Sequence, residues 1–264
     1  MKNILWIFIS ITFLLGACKN ESIEPIDPSI KNNVTLEFSN MVGTQSLILD
    51  NSTYQNSSAE SFSVSKLNYF ISNVSFKNIA GTTVNLSDQY FLVKQNDANS
   101  LLPILKDVPS GDYTEISFTI GVDSVKSVSP VEQRTGVLDP ASYGDDNMYW
   151  SWNSGYIFFK LEGTSPSAIN VATPNKFQYH VGGFGGRTSA TANNLRRITL
   201  ALPQIIHVRK SISPSVHLIA DISKVFSGTN PVKLANSAVI MSPALALPIS
   251  SNYANMFSVD HIHE

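Results

Sequence analysis

A six-residue run, residues 115–120, most constrains what this chain can fold into. Ile116, Phe118 and Ile120 alternate with Glu115, Ser117 and Thr119. A period of two places the apolar side chains on one face of an extended strand. The pattern returns where Val34, Leu36 and Phe38 alternate with Thr35 and Glu37. Shorter runs at residues 47–49, 62–64, 65–76, 90–93, 177–180, 196–202, 205–208 and 216–220 carry β-branched and aromatic residues suited to strands. Turn-formers such as Pro109-Ser110-Gly111-Asp112 separate them. Amphipathic helical periodicity is almost absent. Many short strands with frequent turns predict an all-β fold, an antiparallel β-sandwich in a single domain. Residues 121–147 read as a long turn-rich loop, and residues 231–252, cut by Pro243 and Pro248, as irregular.

The beginning of the chain reads differently. Lys2 precedes an apolar run, residues 4–15, too short to span a bilayer. The run ends in Leu15-Gly16-Ala17-Cys18, which resembles a lipobox. That resemblance implies cleavage before Cys18 and lipidation of its thiol and new N-terminus. It predicts a signal peptide over residues 1–17, a polar tether over 18–33 and the folded domain over 34–264. The expected location is a membrane-anchored lipoprotein in the periplasm or at the cell surface, on the outer membrane. Cys18 is the only cysteine, so no internal disulfide supports the fold. A formal charge of -2 with no basic block argues against a nucleic-acid partner.

The stretch from Asn147 to Gly163, NMYWSWNSGYIFFKLEG, concentrates aromatic residues. Trp150 and Trp152 are two apart and share a face if extended. They read either as core or as residues placed for chemistry. Of the five histidines, His207 and His217 sit singly in apolar runs and are expected to pack. His180 lies on the polar side of its strand beside the glycine-rich VGGFGGRTS. That loop lacks the Lys-Ser or Lys-Thr of a phosphate cradle. His261 and His263 close the chain in DHIHE, two apart on an extended segment, so both imidazoles project to one side in a way that suits a metal. No nucleophile–base set is legible and no catalytic residue is assigned, so the expectation is a binding protein and not an enzyme.

Together, KLNYFISNVSF, IGVDS, MYWSWNSGYIFFKLEG, FQYHVGG and the final NMFSVDHIHE resemble the MbnP-like copper-binding domain family. The resemblance implies an exported β-rich protein associated with copper, partnered in some cases by a di-haem cytochrome c peroxidase homologue. It further implies oxidation of one tryptophan to kynurenine, carried over here to Trp150 or Trp152, and copper held by that product with histidines. His180, His261 and His263 are the ligands it suggests. An indole offers a donor and no lone pair, so only the opened ring could bind metal. Met148 is an outlying candidate for Cu(I). The alternative expectation is a surface lipoprotein that binds a carbohydrate or peptide on a Trp150–Trp152 stacking platform.

Overall fold

A computed structural model describes residues 23–150, 155–170 and 172–264. The leader over residues 1–17, Cys18, the first part of the tether and Trp152 lie outside the described residues. In chain order the strands begin with β1 (Lys31–Val42), β2 (Gln45–Ser46), β3 (Tyr54–Gln55) and β4 (Ser61–Asn78). They continue with β5 (Thr83–Asn85), β6 (Tyr90–Lys94), β7 (Ile104–Pro109) and β8 (Gly111–Ile120). After a run of short helical turns come β9 (Tyr149–Trp150), β10 (Gly155–Thr164), β11 (Lys176–Gly182) and β12 (Arg196–Val208). The last three are β13 (Ser215–Asp221), β14 (Val239–Ile240) and β15 (Phe257–His263).

These strands form two sheets packed face to face, the expected sandwich. The smaller runs β15-β13-β1-β2, with β7 also on β1. The larger runs β12-β8-β4-β10-β11-β14, with short strands added to β4 and β10. The alternation in β1 explains the packing. Val34, Leu36 and Phe38 are buried, while Thr35, Glu37 and Ser39 are half-buried on the other face. Phe38 reaches across the sandwich to Tyr69 at 5.9 Å and Phe118 at 6.4 Å, both edge-on. Such pairs add to the stabilisation from area burial.

Four details depart from the sequence expectation. The ladder between β1 and β13 is parallel, as is the short pairing of β11 with β14. A hairpin enforces antiparallel pairing, but β13 reaches β1 after the chain has crossed the other sheet, so its direction is free. The runs at 62–64 and 65–76 form one 18-residue strand, β4, paired on both sides. Those at 196–202 and 205–208 likewise merge into β12, whose register shifts between Ala201 and Ile206. A helix, α1 (Ser124–Val128), lies in the expected loop, α2 (Ser223–Phe226) follows β13, and α3 (Leu247–Tyr253) lies in the stretch expected to be irregular. Pro248 sits in the first turn of α3, where its missing N–H costs nothing.

Residues 121–148 cover the outer face of the larger sheet. There Leu138, Tyr143 and Met148 join Phe70, Trp150, Tyr156, Ile157 and Phe158 in a second apolar cluster. Buried Arg134 donates to the Ser127 and Ser129 carbonyls and to the Tyr149 hydroxyl, which pins this cover. Lys160 Nζ donates to the Asp146 and Asn147 carbonyls at 2.5 and 2.9 Å. At the other end, Glu24 accepts from Arg209 through its carbonyl and from Ser211 through its carboxylate, tying residue 24 to the domain. The outer face of the smaller sheet, by contrast, presents the half-buried polar side chains of Glu37, Ser39 and His217, with no such apolar cover among the described residues.

Candidate metal centre

The open face of the smaller sheet gathers three histidines and an aspartate. In β13, Val216, Leu218 and Ala220 are buried, which turns His217 outward beside Glu37, its register partner on β1. On its other side β15 pairs antiparallel, Leu218 opposite Val259 and Val216 opposite Ile262. Two residues of β15, Asp260 and His261, therefore stand opposite the single residue His217. This is a β-bulge, and bulges re-aim side chains where they occur.

The geometry is close. His217 Nδ1 lies 3.1 Å from Asp260 Oδ2 and 3.2 Å from His261 Nδ1. His261 Nδ1 lies 2.7 Å from the same aspartate oxygen. On the far side of its ring, His261 Nε2 lies 2.9 Å from His263 Nε2. Ser39 Oγ sits 2.7 Å from His217 Nε2 and orients that imidazole from β1. The hydrogen bond from His261 holds the Asp260 carboxyl below the usual range. His217 is shielded at 15% side-chain exposure, whereas Asp260 and His261 are open at 45% and 47%.

This donor set fits copper. Donors that share one ion at about 2.0–2.1 Å stand roughly 3 Å apart when adjacent in its coordination sphere. The separations among His217, Asp260 and His261 match that spacing. Imidazole suits copper, and a carboxylate beside it favours the oxidised ion over Cu(I), which prefers sulfur. No sulfur donor is available nearby among the described residues. Met41 pairs with Asp221, four residues along β13 from His217; Met148 and Met256 are buried in apolar clusters, and Met241 packs against the cluster that holds Met148.

The expected ligands divide into two groups. His261 and His263 are brought together as their spacing implied. His180 is not with them: it lies on β11 in the larger sheet, with Nε2 2.5 Å from Glu162 Oε1. That bond, aided by nearby Lys160, holds the Glu162 carboxyl below its usual range, while burial pushes the Lys160 ammonium down. Trp150 is 5% exposed in the second apolar cluster, beside the backbone of Gly182. It neither joins the histidines nor offers an open stacking face. Nor is Met148 near them. His207 bonds to Asp112, through Nδ1 at 2.7 Å. Sequence reasoning missed His217, Asp260 and Ser39. The adjacency of Asp260 to the His261/His263 pair was the one local signal available.

The MbnP family model matches residues 31–242, which includes His217 and stops short of β15. The fold is similar to the solved structure of MbnP from Methylosinus trichosporium, with a TM-score of 0.53 and 15% sequence identity over 82% of each chain. At that identity the likeness speaks to the fold alone. No curated protein sequence matches the chain.

Proposed function

The chain belongs to the MbnP family, which is copper-associated, and from that premise we propose that it is an exported copper-binding protein with its site on β13 and β15. The observation that carries this reading is the bulge in β15, which sets His217 Nδ1, Asp260 Oδ2 and His261 Nδ1 within 3.2 Å of their nearest neighbours. His217 and His261 each supply one imidazole nitrogen, and Asp260 one oxygen. Ser39 accepts the remaining His217 ring proton when Nδ1 is engaged, the kind of outer support that fixes ligand tautomers. The cargo is Cu(II). Exposure of Asp260 and His261 leaves the ion open to exchange, which suits scavenging or delivery better than sealed storage.

The finer parts of the proposal rest on sequence. The lipobox-like Leu15-Gly16-Ala17-Cys18 supports lipidation at Cys18 and a place on the outer side of a membrane. No helix among the described residues is long and apolar enough to cross a membrane. Oxidation of Trp150 or Trp152 by a di-haem peroxidase partner is, on this reading, a separate modification. Trp150 is packed with Met148 and Tyr156, and copper binding at the histidines does not wait on it.

Titration of the purified mature protein with Cu(II), followed by electron paramagnetic resonance, tests the reading. The protein is to be shown by mass to contain intact tryptophans. A tetragonal Cu(II) signal coupled to imidazole nitrogen is expected, weakened by His217→Ala and by Asp260→Asn. Copper uptake that neither substitution changes would remove this site from the proposal.

A further inference from the structure

His261 faces donors on both sides of its ring, more than one ion can use. Nδ1 faces Asp260 and His217, at 2.7 and 3.2 Å, while Nε2 faces His263 Nε2 at 2.9 Å. The lone pairs of the two ring nitrogens diverge in the ring plane, so a single ion cannot take both. The neighbouring rings are also edge-on to His261. His217 is 4.6 Å away at 70°, and His263 is 4.6 Å away at 87°. Neither neighbour stacks flat on the central imidazole, and a ring nitrogen of each lies within 3.2 Å of one of its own two nitrogens.

We propose that His261 is a bridging ligand, and that this face of the sheet takes two Cu(II) ions that share its imidazole. The first ion is held by His217 Nδ1, Asp260 and His261 Nδ1. The second is held by His261 Nε2 and His263 Nε2. The inference rests on the copper reading above and adds a second place to it. The two places are unequal: the first has three protein donors and Ser39 behind His217, and the second has two donors near the end of the chain. The first therefore fills before the second.

The proton balance follows from the ring. A neutral imidazole carries one proton on one nitrogen and a lone pair on the other. The first ion takes the Nδ1 lone pair, which leaves the proton on Nε2. The second ion replaces that proton, which passes to solvent, and His261 becomes an imidazolate. Neither copper changes oxidation state. Water completes both coordination spheres, which the 47% exposure of His261 permits.

Stepwise Cu(II) addition to the mature protein, read by electron paramagnetic resonance with proton release measured at constant pH, tests this directly. The first equivalent should give a mononuclear signal. The second should lower the integrated signal, because unpaired electrons couple through the shared ring, and should release one further proton. His263→Ala should keep the first signal and abolish the effect of the second equivalent, with unchanged circular dichroism. A second equivalent that adds an independent, uncoupled signal overturns the bridge. So does a His263→Ala variant whose first equivalent is weakened as much as in His217→Ala, because one ion would then be using all three histidines. In both cases copper binding itself survives. Failure of the unsubstituted protein to take up any copper would instead overturn the reading on which the bridge rests.

Discussion

Ser39 gives His217 its orientation through a hydrogen bond from the neighbouring strand. Its hydroxyl meets Nε2 at 2.7 Å and leaves Nδ1 facing Asp260 and His261. Losing such an outer-shell partner typically weakens metal binding about 10-fold or more. Ser39→Ala is therefore expected to lower affinity for the first Cu(II) by about tenfold in a competition titration. Its thermal midpoint should scarcely move, because Ser39 is half-buried on a solvent-facing sheet. The contrasting residue is Phe38, one position away and pointing inward among Tyr69, Phe118 and Phe257. Phe38→Ala should cost about 3–5 kcal/mol of stability, read by chemical denaturation. Neighbouring residues on one strand thus serve different ends because successive side chains point to opposite faces.

At the scale of elements, the pairing of β13 with β15 builds the site. Deleting Asp260 would leave His261 opposite His217 in a regular ladder, with Ile262 and His263 keeping their partners. The strand should stay paired while the carboxylate donor is lost. The larger sheet is less forgiving where β4 meets β10. A methyl group at Gly163 would lie 1.9 Å from the Ser63 carbonyl oxygen and 2.8 Å from the Phe177 ring. Backbone cannot yield as a flexible side chain can, so Gly163→Ala should destabilise by about 1–3 kcal/mol or more, seen as a lowered thermal midpoint. Element existence was largely legible in the alternating runs, since alternation reports directly which side faces the core. The merging of two runs into β4, and the parallel run of β13 beside β1, were not, because pairing partners are chosen by distant chain.

For the molecule as a whole, several carboxylates are worth more folded than unfolded. Burial works against Glu60, but bonds from the Asn56 amide and the Ala235 and Leu234 backbone outweigh it and hold its carboxyl below the usual value. Asp112 is likewise lowered, with bonds from His207 and Arg209 outweighing its desolvation. A group whose folded pKa is depressed contributes fully above its unfolded value, about 4 for these side chains, and loses that contribution as pH falls through the folded value. Stability should thus decline below about pH 4, measured by denaturation across acid buffers. Glu60→Gln should flatten part of that decline. At the same scale, Cys18→Ala should move the protein from the membrane fraction to the soluble one in its own host, read by fractionation.

The sequence by itself determined the sandwich, through apolar alternation at a period of two, and the shared side of His261 and His263, which are two apart on an extended strand. Both are local properties, set by the geometry of the strand that carries them. Only the tertiary structure decided that His217, 44 residues from His261, completes the cluster, and that His180 pairs with Glu162 on the other sheet. Spacing along one strand fixes the side on which a residue lies, but not which strand becomes its neighbour or where a bulge falls. Those follow from how Phe38, Leu218 and Phe257 bury together in the common core, and their burial carries Ser39, His217 and Asp260 to one outer face.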